Sequence, residues 1–254
     1  MKRWPVSPLR DALHAQFMKT RSWLQQQRDW QRPTRLAGWN VVVLTVHLGE
    51  SLRALTDSLQ RPTREKAQSI AQYTEQWSAA AGQIADREMT AANGVTPMTA
   101  LDRLDSEYIE LQNALDSTRG DPVLAARRGP IRMSDFLVTR VNEYVVHSLD
   151  LTDGDPSILD ANALAAACRM LAGILTERAP GRAVELRVPP YVAAQCLEGP
   201  RHTRGTPGNV VECDPPTWVD LATGRLTWEG ARGGGRLRAS GTRADLSTYL
   251  PVLS

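Results

Sequence analysis

The sequence predicts an α plus α+β protein: a helical bundle over residues 1–155, then a small α+β domain over residues 156–254. Three observations predict it. Apolar residues recur at helical spacing through the first region. Beyond Pro180-Gly181 the pattern changes to Val184-Glu185-Leu186-Arg187-Val188, which alternates apolar and charged with the period of a strand. Between the two regions, Thr152-Asp153-Gly154-Asp155-Pro156 is a dense cluster of turn residues.

The first helix is expected between Leu9 and Gln27, where Leu13, Phe17, Trp23 and Leu24 recur at helical spacing, and Gln31-Arg32-Pro33-Thr34 breaks it. A second helix runs from Trp39 to Leu59. Pro62-Thr63 ends it and opens a third from Arg64 to Ala92, stopped by Asn93-Gly94. Thr96 is an N-cap and Pro97 a first-turn proline for a fourth helix, Met98 to Asp116. Ser117 to Pro130, rich in Gly, Pro and Arg, reads as a loop, and a helix from about Ser134 to Leu151 closes the region. The alanine-rich stretch Asp160 to Arg178 is a further amphipathic helix. Strands are expected at Val184 to Val188, Tyr191 to Leu197, Asn209 to Glu212, Leu226 to Trp228 and Leu237 to Ala239. Pro215 to Ala222 and Ala244 to Leu250 look helical. Arg232-Gly233-Gly234-Gly235-Arg236 reads as a hairpin, because no strand–helix frame surrounds it as a phosphate-binding loop requires.

Composition excludes several function classes. Among 254 residues, 30 Lys and Arg face 28 Asp and Glu, a formal charge of +2. A nucleic-acid binder usually carries a strong basic excess, so no nucleic-acid partner is expected. With 42% hydrophobic and 23% charged residues the chain is globular rather than disordered. No apolar run approaches the roughly 20 residues of a membrane span, and Met-Lys-Arg-Trp-Pro leads into no signal-peptide core. A cytoplasmic protein without a membrane partner is expected. Cys168, Cys196 and Cys213 are scattered and odd in number, which argues against a disulfide framework or a thiolate zinc site and for buried filler. Lys2, Lys19 and Lys66 are the only lysines, and alanine is abundant, which marks a high-GC bacterial genome. No G-x-S-x-G elbow or Ser-His-Asp order supports acyl hydrolysis.

The chemistry-bearing pattern lies on two helices. Glu143 and His147 are four residues apart, so they share a helix face with Cβ atoms about 5–6 Å apart. A carboxylate and an imidazole so placed can ligate one divalent cation, and a facing helix of a bundle can add a third ligand. His47, among Val43, Leu44 and Leu48 on the second helix, is the candidate. Two imidazoles and one carboxylate leave a coordination position open, as catalytic sites do. The metal would then act as a Lewis acid or lower the pKa of a bound water or thiol. The plain alternative is a solvated Glu143–His147 pair with an unrelated, hydrogen-bonded His47. Glu50 and Asp150, each three residues after a histidine, could orient an imidazole or serve as a base, or could simply be solvated or capping residues. Arg140 could pair with Glu143 at the surface or meet an anionic substrate. Arg201, His202 and Arg204, in a basic Gly-containing loop, are candidate contacts for a carboxylate or phosphate. His14 shows no evident partner and reads as structural.

Two segments carry a resemblance. Leu36-Ala37-Gly38-Trp39-Asn40-Val41-Val42-Val43-Leu44-Thr45-Val46-His47-Leu48 resembles the GW-x-V…L-x-x-H-L helix of the mycothiol-dependent maleylpyruvate isomerase family, within the DinB-like group of metal-binding bundles. Arg140 to Leu151 resembles that family's second signature, E-x-x-x-H-x-x-D-L. The family's metal ligands correspond to His47, Glu143 and His147. Val184 to Tyr191, His202 to Pro207, Asp214 to Trp218 and Ser240 to Leu246 are similar to the sterol carrier protein-like domain attached to many actinobacterial members. The resemblance spans nearly the whole chain. It implies an up-down bundle, a divalent metal with zinc as the expected ion, and mycothiol or another small thiol as cosubstrate. It further implies an isomerase or transferase that adds a thiolate to a small electrophilic substrate, as a monomer or homodimer. The family's substrate-binding arginines do not align with defined positions here. A second reading is a binding protein, with a lipid or apolar ligand in the sterol carrier-like part and a structural or vestigial metal.

Overall fold

The computed structural model describes residues 3–75, 77–199 and 208–253. The chain forms two compact units, Lys2–Ala163 and Leu164–Ser254.

Four long helices build the first unit: α1 (Val6–Gln25), α2 (Val41–Leu59), α5 (Pro97–Ser117) and α6 (Met133–Leu151), with the shorter α3 (Ile70–Thr74) and α4 (Trp77–Ala91) between α2 and α5 in the chain. Helix α2 packs on α4, α5 and α6, and α1 packs on α6. That central position explains its sequence: Val41 to Val46, Leu48, Leu52 and Leu55 are buried on several faces rather than on one stripe. Asn40 caps it, its side chain accepting from the Val43 amide at 3.0 Å. Thr96 caps α5 in the same way, ahead of Pro97.

Two expectations change here. The helix predicted from Arg64 to Ala92 is broken, because Pro62–Thr63 forms a short strand (β1) and Ser69 starts α3 through a capping box with Gln72. The predicted loop Ser117 to Pro130 contains a hairpin, β2 (Val123–Ala126) with β3 (Gly129–Arg132), and β1 pairs antiparallel with β2. The turn residues Arg127-Arg128 carry none of the usual two-residue hairpin signals, so the sequence pattern does not announce it. The hairpin delivers the chain directly into α6. There Asp121 accepts from the backbone amide and the hydroxyl of Ser134, at 2.8 and 3.0 Å.

A buried polar clamp fixes the far end of α6. The Gln16 amide nitrogen donates to Ser148 Oγ at 3.1 Å and to the Ile158 carbonyl at 3.3 Å, and its oxygen accepts from the Asp160 amide at 2.8 Å. Ser148 Oγ also lies 2.7 Å from Thr20 Oγ1.

In the second unit, helix α7 (Ala161–Arg178), which begins just before it, leads into a sheet ordered β5-β4-β6-β7. Its strands are β4 (Val184–Val188), β5 (Val192–Cys196), β6 (Val210–Cys213) and β7 (Leu237–Ser240). β4 runs antiparallel to β5 and parallel to β6, which runs antiparallel to β7. Val184, Leu186 and Val188 are buried, as their alternation predicts. Helix α8 (Pro215–Ala222) lies where expected, and its buried Trp218 donates to the Cys168 carbonyl at 3.2 Å. The predicted strand Leu226 to Trp228 is instead a helix start: Thr227 caps α9 (Trp228–Gly233) by accepting from the Gly230 amide. That helix also absorbs Arg232 and Gly233 of the predicted hairpin. Ala244 to Leu250 shortens to a single 3-10 turn, Ser247–Tyr249, followed by Leu250-Pro251. All three cysteines are buried. Among the described residues no helix is long and apolar enough to cross a membrane.

Candidate metal centre

His47 projects from α2, and Glu143 and His147 project one turn apart from α6, so the packing of α2 on α6 decides whether the three meet. They do. His147 Nε2 lies 3.0 Å from Glu143 Oε2, and His47 Nε2 lies 3.5 Å from that same oxygen. The imidazoles meet edge to face, centroids 5.0 Å apart and planes at 86°. One donor atom from each residue lies within 4.8 Å of the others. A tetrahedral ion with ligands at about 2.0–2.2 Å needs its donors roughly 3.3–3.6 Å apart. Two nitrogens and one carboxylate oxygen gathered within 4.8 Å are a donor set that could hold a divalent metal ion.

The surroundings hold these atoms in place. His147 Nδ1 faces Asp150 Oδ2 at 2.9 Å, and Asp150 is buried. Arg140 is not a surface residue: it is buried over the Phe136 ring, bonds the Ser51 carbonyl at 3.3 Å, and places Nη2 3.5 Å from Glu143 Oε1. Glu88, from α4, is wholly buried with Oε1 3.7 Å from His47 Nδ1, and Arg87 Nη2 donates to that oxygen at 2.6 Å. The Trp39 indole stands edge-on to His47, centroids 5.2 Å apart.

The electrostatics follow from burial and neighbours. Burial by itself would lower the pKa of His47, but Glu143 and then Glu88 outweigh it and raise it to about 9. Burial would raise the Glu143 carboxyl, but His147, His47 and Arg140 hold it well below the usual carboxylate range. Glu88 is likewise lowered against its burial by His47 and Arg87. The cluster therefore keeps its carboxylates ionised and draws positive charge to itself.

The structure sorts the sequence candidates. His47, Glu143 and His147 converge, and Asp150 sits on His147. Glu50 does not join them: its Oε1 pairs with Arg53 at 3.2 Å, and it lines a separate cavity of about 400 Å³ beside Thr45, Arg103 and Glu107. His14 has a partner after all, Tyr108 Oη at 2.5 Å. Arg201, His202 and Arg204 lie outside the described residues. Sequence reasoning missed Glu88, which has no local signature and reaches His47 only through the packing of α4 on α2.

Residues 10–152 match the family model described as the mycothiol maleylpyruvate isomerase N-terminal domain. The chain belongs to this family. Residues 160–252 match a second model, described as a bacterial SCP ortholog, so the family's bundle is followed here by an SCP-like domain. A crystal structure of the mycothiol-dependent maleylpyruvate isomerase is 15% identical, covers 95% of each chain and superposes with a TM-score of 0.59. That of a histidine-to-alanine variant of the enzyme has a TM-score of 0.60, again with 15% identity and 95% of each chain covered. At this identity the likeness establishes the shared fold. No curated protein sequence matches the chain.

Proposed function

We propose that this family member is a divalent-metal-dependent enzyme that uses a small thiol, mycothiol or a close analogue, for isomerisation or S-transfer on a small electrophile. Maleylpyruvate is the first substrate to test. The observation that carries the reading is the convergence of His47 Nε2, His147 Nε2 and Glu143 Oε2. A zinc ion held there would lower the pKa of a coordinated thiol and stabilise the thiolate that adds to the substrate. The chain's own residues prepare that position. Asp150 accepts a hydrogen bond from Nδ1–H of His147, which leaves the Nε2 lone pair facing inward. Arg140 attracts Glu143 Oε1 and leaves Oε2 for coordination. Three protein donors leave a fourth place for the thiol sulfur.

In this reading residues 1–155 form the metal-binding bundle and residues 156–254 the SCP-like domain, with Arg201, His202 and Arg204 as candidate contacts for an anionic ligand. Its setting is the cytoplasm of a mycothiol-producing actinobacterium, as a monomer or homodimer. The test is elemental analysis of untagged protein, followed by maleylpyruvate consumption with and without mycothiol. One equivalent of divalent metal and thiol-dependent turnover are expected, both lost in His147→Ala. Full metal content in His147→Ala refutes the assignment. A co-purified acyl or sterol-like mass without metal favours the carrier reading that the SCP match supports.

A further inference from the structure

Two buried polar atoms, one on His47 and one on the neighbouring Glu88, have no hydrogen-bond partner. One is His47 Nδ1, the nitrogen turned away from Glu143; the other is Glu88 Oε2. A buried imidazole nitrogen without a partner is costly, so such atoms are normally satisfied. Glu88 Oε1 is 3.7 Å from His47 Nδ1 and accepts from Arg87 at 2.6 Å, while Oε2 of the same carboxylate has no hydrogen-bond partner.

We infer that Glu88 is a positioning residue: its carboxylate accepts a hydrogen bond from Nδ1–H of His47 and so fixes this imidazole with Nε2 aimed at the metal position. The inference rests on the metal reading of the triad. It gives each histidine its own carboxylate, in two different ways. Asp150 serves His147 from the same helix, whereas Glu88 serves His47 from α4 across the bundle.

Pairing with Arg87 does not account for Glu88's position. The Arg87 side chain is 49% exposed, so the two could form their ion pair in solvent, yet the Glu88 side chain is 0% exposed. A buried carboxylate is costly unless donors compensate it inside. Besides Arg87, the His47 ring stands beside it, with Nδ1 3.7 Å from Oε1. The geometry also states which nitrogen of His47 meets the metal, since Nδ1 faces Glu88 and Nε2 faces Glu143 Oε2 at 3.5 Å.

The test measures zinc affinity by competition with a chromophoric chelator, together with ¹⁵N NMR of the histidine rings in the zinc-loaded protein. Wild type, Glu88→Gln and Glu88→Leu are compared, with Glu50→Gln as a control outside the site. Glu88→Leu is expected to weaken zinc binding by about 10–100-fold, the usual effect of removing a carboxylate behind a metal-bound histidine. Glu88→Gln, which keeps an acceptor oxygen, is expected to restore part of that loss and to retain the Nδ1–H form of His47. Should Glu88→Leu fail to fold, Glu88→Gln still decides, through an affinity several-fold below wild type. Wild-type affinity in either variant, or zinc on Nδ1 of His47 in the wild-type spectrum, overturns the inference while leaving the triad intact. Absence of zinc binding in wild type overturns the triad and this inference together.

Discussion

His147 and Asp150 form a buried pair on one helix face, Nδ1 and Oδ2 2.9 Å apart, next to a second contact from His147 Nε2 to Glu143 Oε2 at 3.0 Å. The ring is thus held at both nitrogens, and Asp150 is the partner that would orient it with Nε2 toward a bound ion. Asp150→Ala should therefore lower zinc affinity by about 10–100-fold. Competition with a chelator of known affinity measures it; unchanged affinity would show that the pair only supports the helix.

Metal removal should be visible as stability. An ion that binds only the folded chain adds RT ln(1 + [L]/Kd), about 2.7 kcal/mol at a hundredfold excess over Kd. EDTA should lower the melting temperature of wild type by several degrees and leave His47→Ala unchanged. Scanning calorimetry with and without chelator checks this, and an equal response in both proteins would count against the triad.

Gln16 holds α1, α6 and the turn before α7 through Ser148, Ile158 and Asp160. Gln16→Leu preserves volume but strands those polar groups in a buried site. We expect a loss of about 2–4 kcal/mol in denaturant unfolding. A loss under about 0.5 kcal/mol, the range of an ordinary surface substitution, would show that the clamp contributes little.

Asp135 gives a pH signature away from the His47, Glu143 and His147 cluster. Burial first, then Asp121, raises its pKa to about 6. The folded state therefore favours the neutral acid. The associated stability is fully present below the unfolded value near 3.9 and is lost as pH rises through about 6. Asp135→Asn should thus stabilise the protein at pH 8 by about 1–2 kcal/mol and leave it unchanged at pH 4. Urea unfolding at both pH values is the measurement; an equal effect at the two would remove the electrostatic explanation.

Burial pushes the Cys196 thiol up to about 11 and the Cys213 thiol up to about 12, and raises Cys168 as well. At pH 8 none should react quickly with a disulfide reagent in the native state, and all three should react in denaturant. Fast native labelling would make a protein thiol a competitor for the small thiol proposed as cosubstrate.

Much of the bundle was legible in the sequence because its signals are local. Thr96 and Pro97 announce a helix start, and the four-residue spacing of Glu143 and His147 places both on one face whatever surrounds them. The hairpin Val123–Arg132 escaped notice because Arg127-Arg128 gives no turn signal, and the break before α3 because a capping Ser69 lay inside an apparently continuous helical pattern. Glu50 and Asp150 stand at the same three-residue offset from a histidine. Only Asp150 reaches its ring, since Glu50 turns to Arg53.

By itself the chain determined the helices, the strand alternation after Pro180 and the pairing of Glu143 with His147, all of which depend on neighbours within a turn or two. Tertiary structure alone decided that His47 faces that pair, that Arg140 is buried against Glu143, and that Glu88 arrives from α4. Those relations depend on which helix faces meet. Many residues far apart in the chain, each contributing a small packing energy, settle that jointly, and no short motif records their sum.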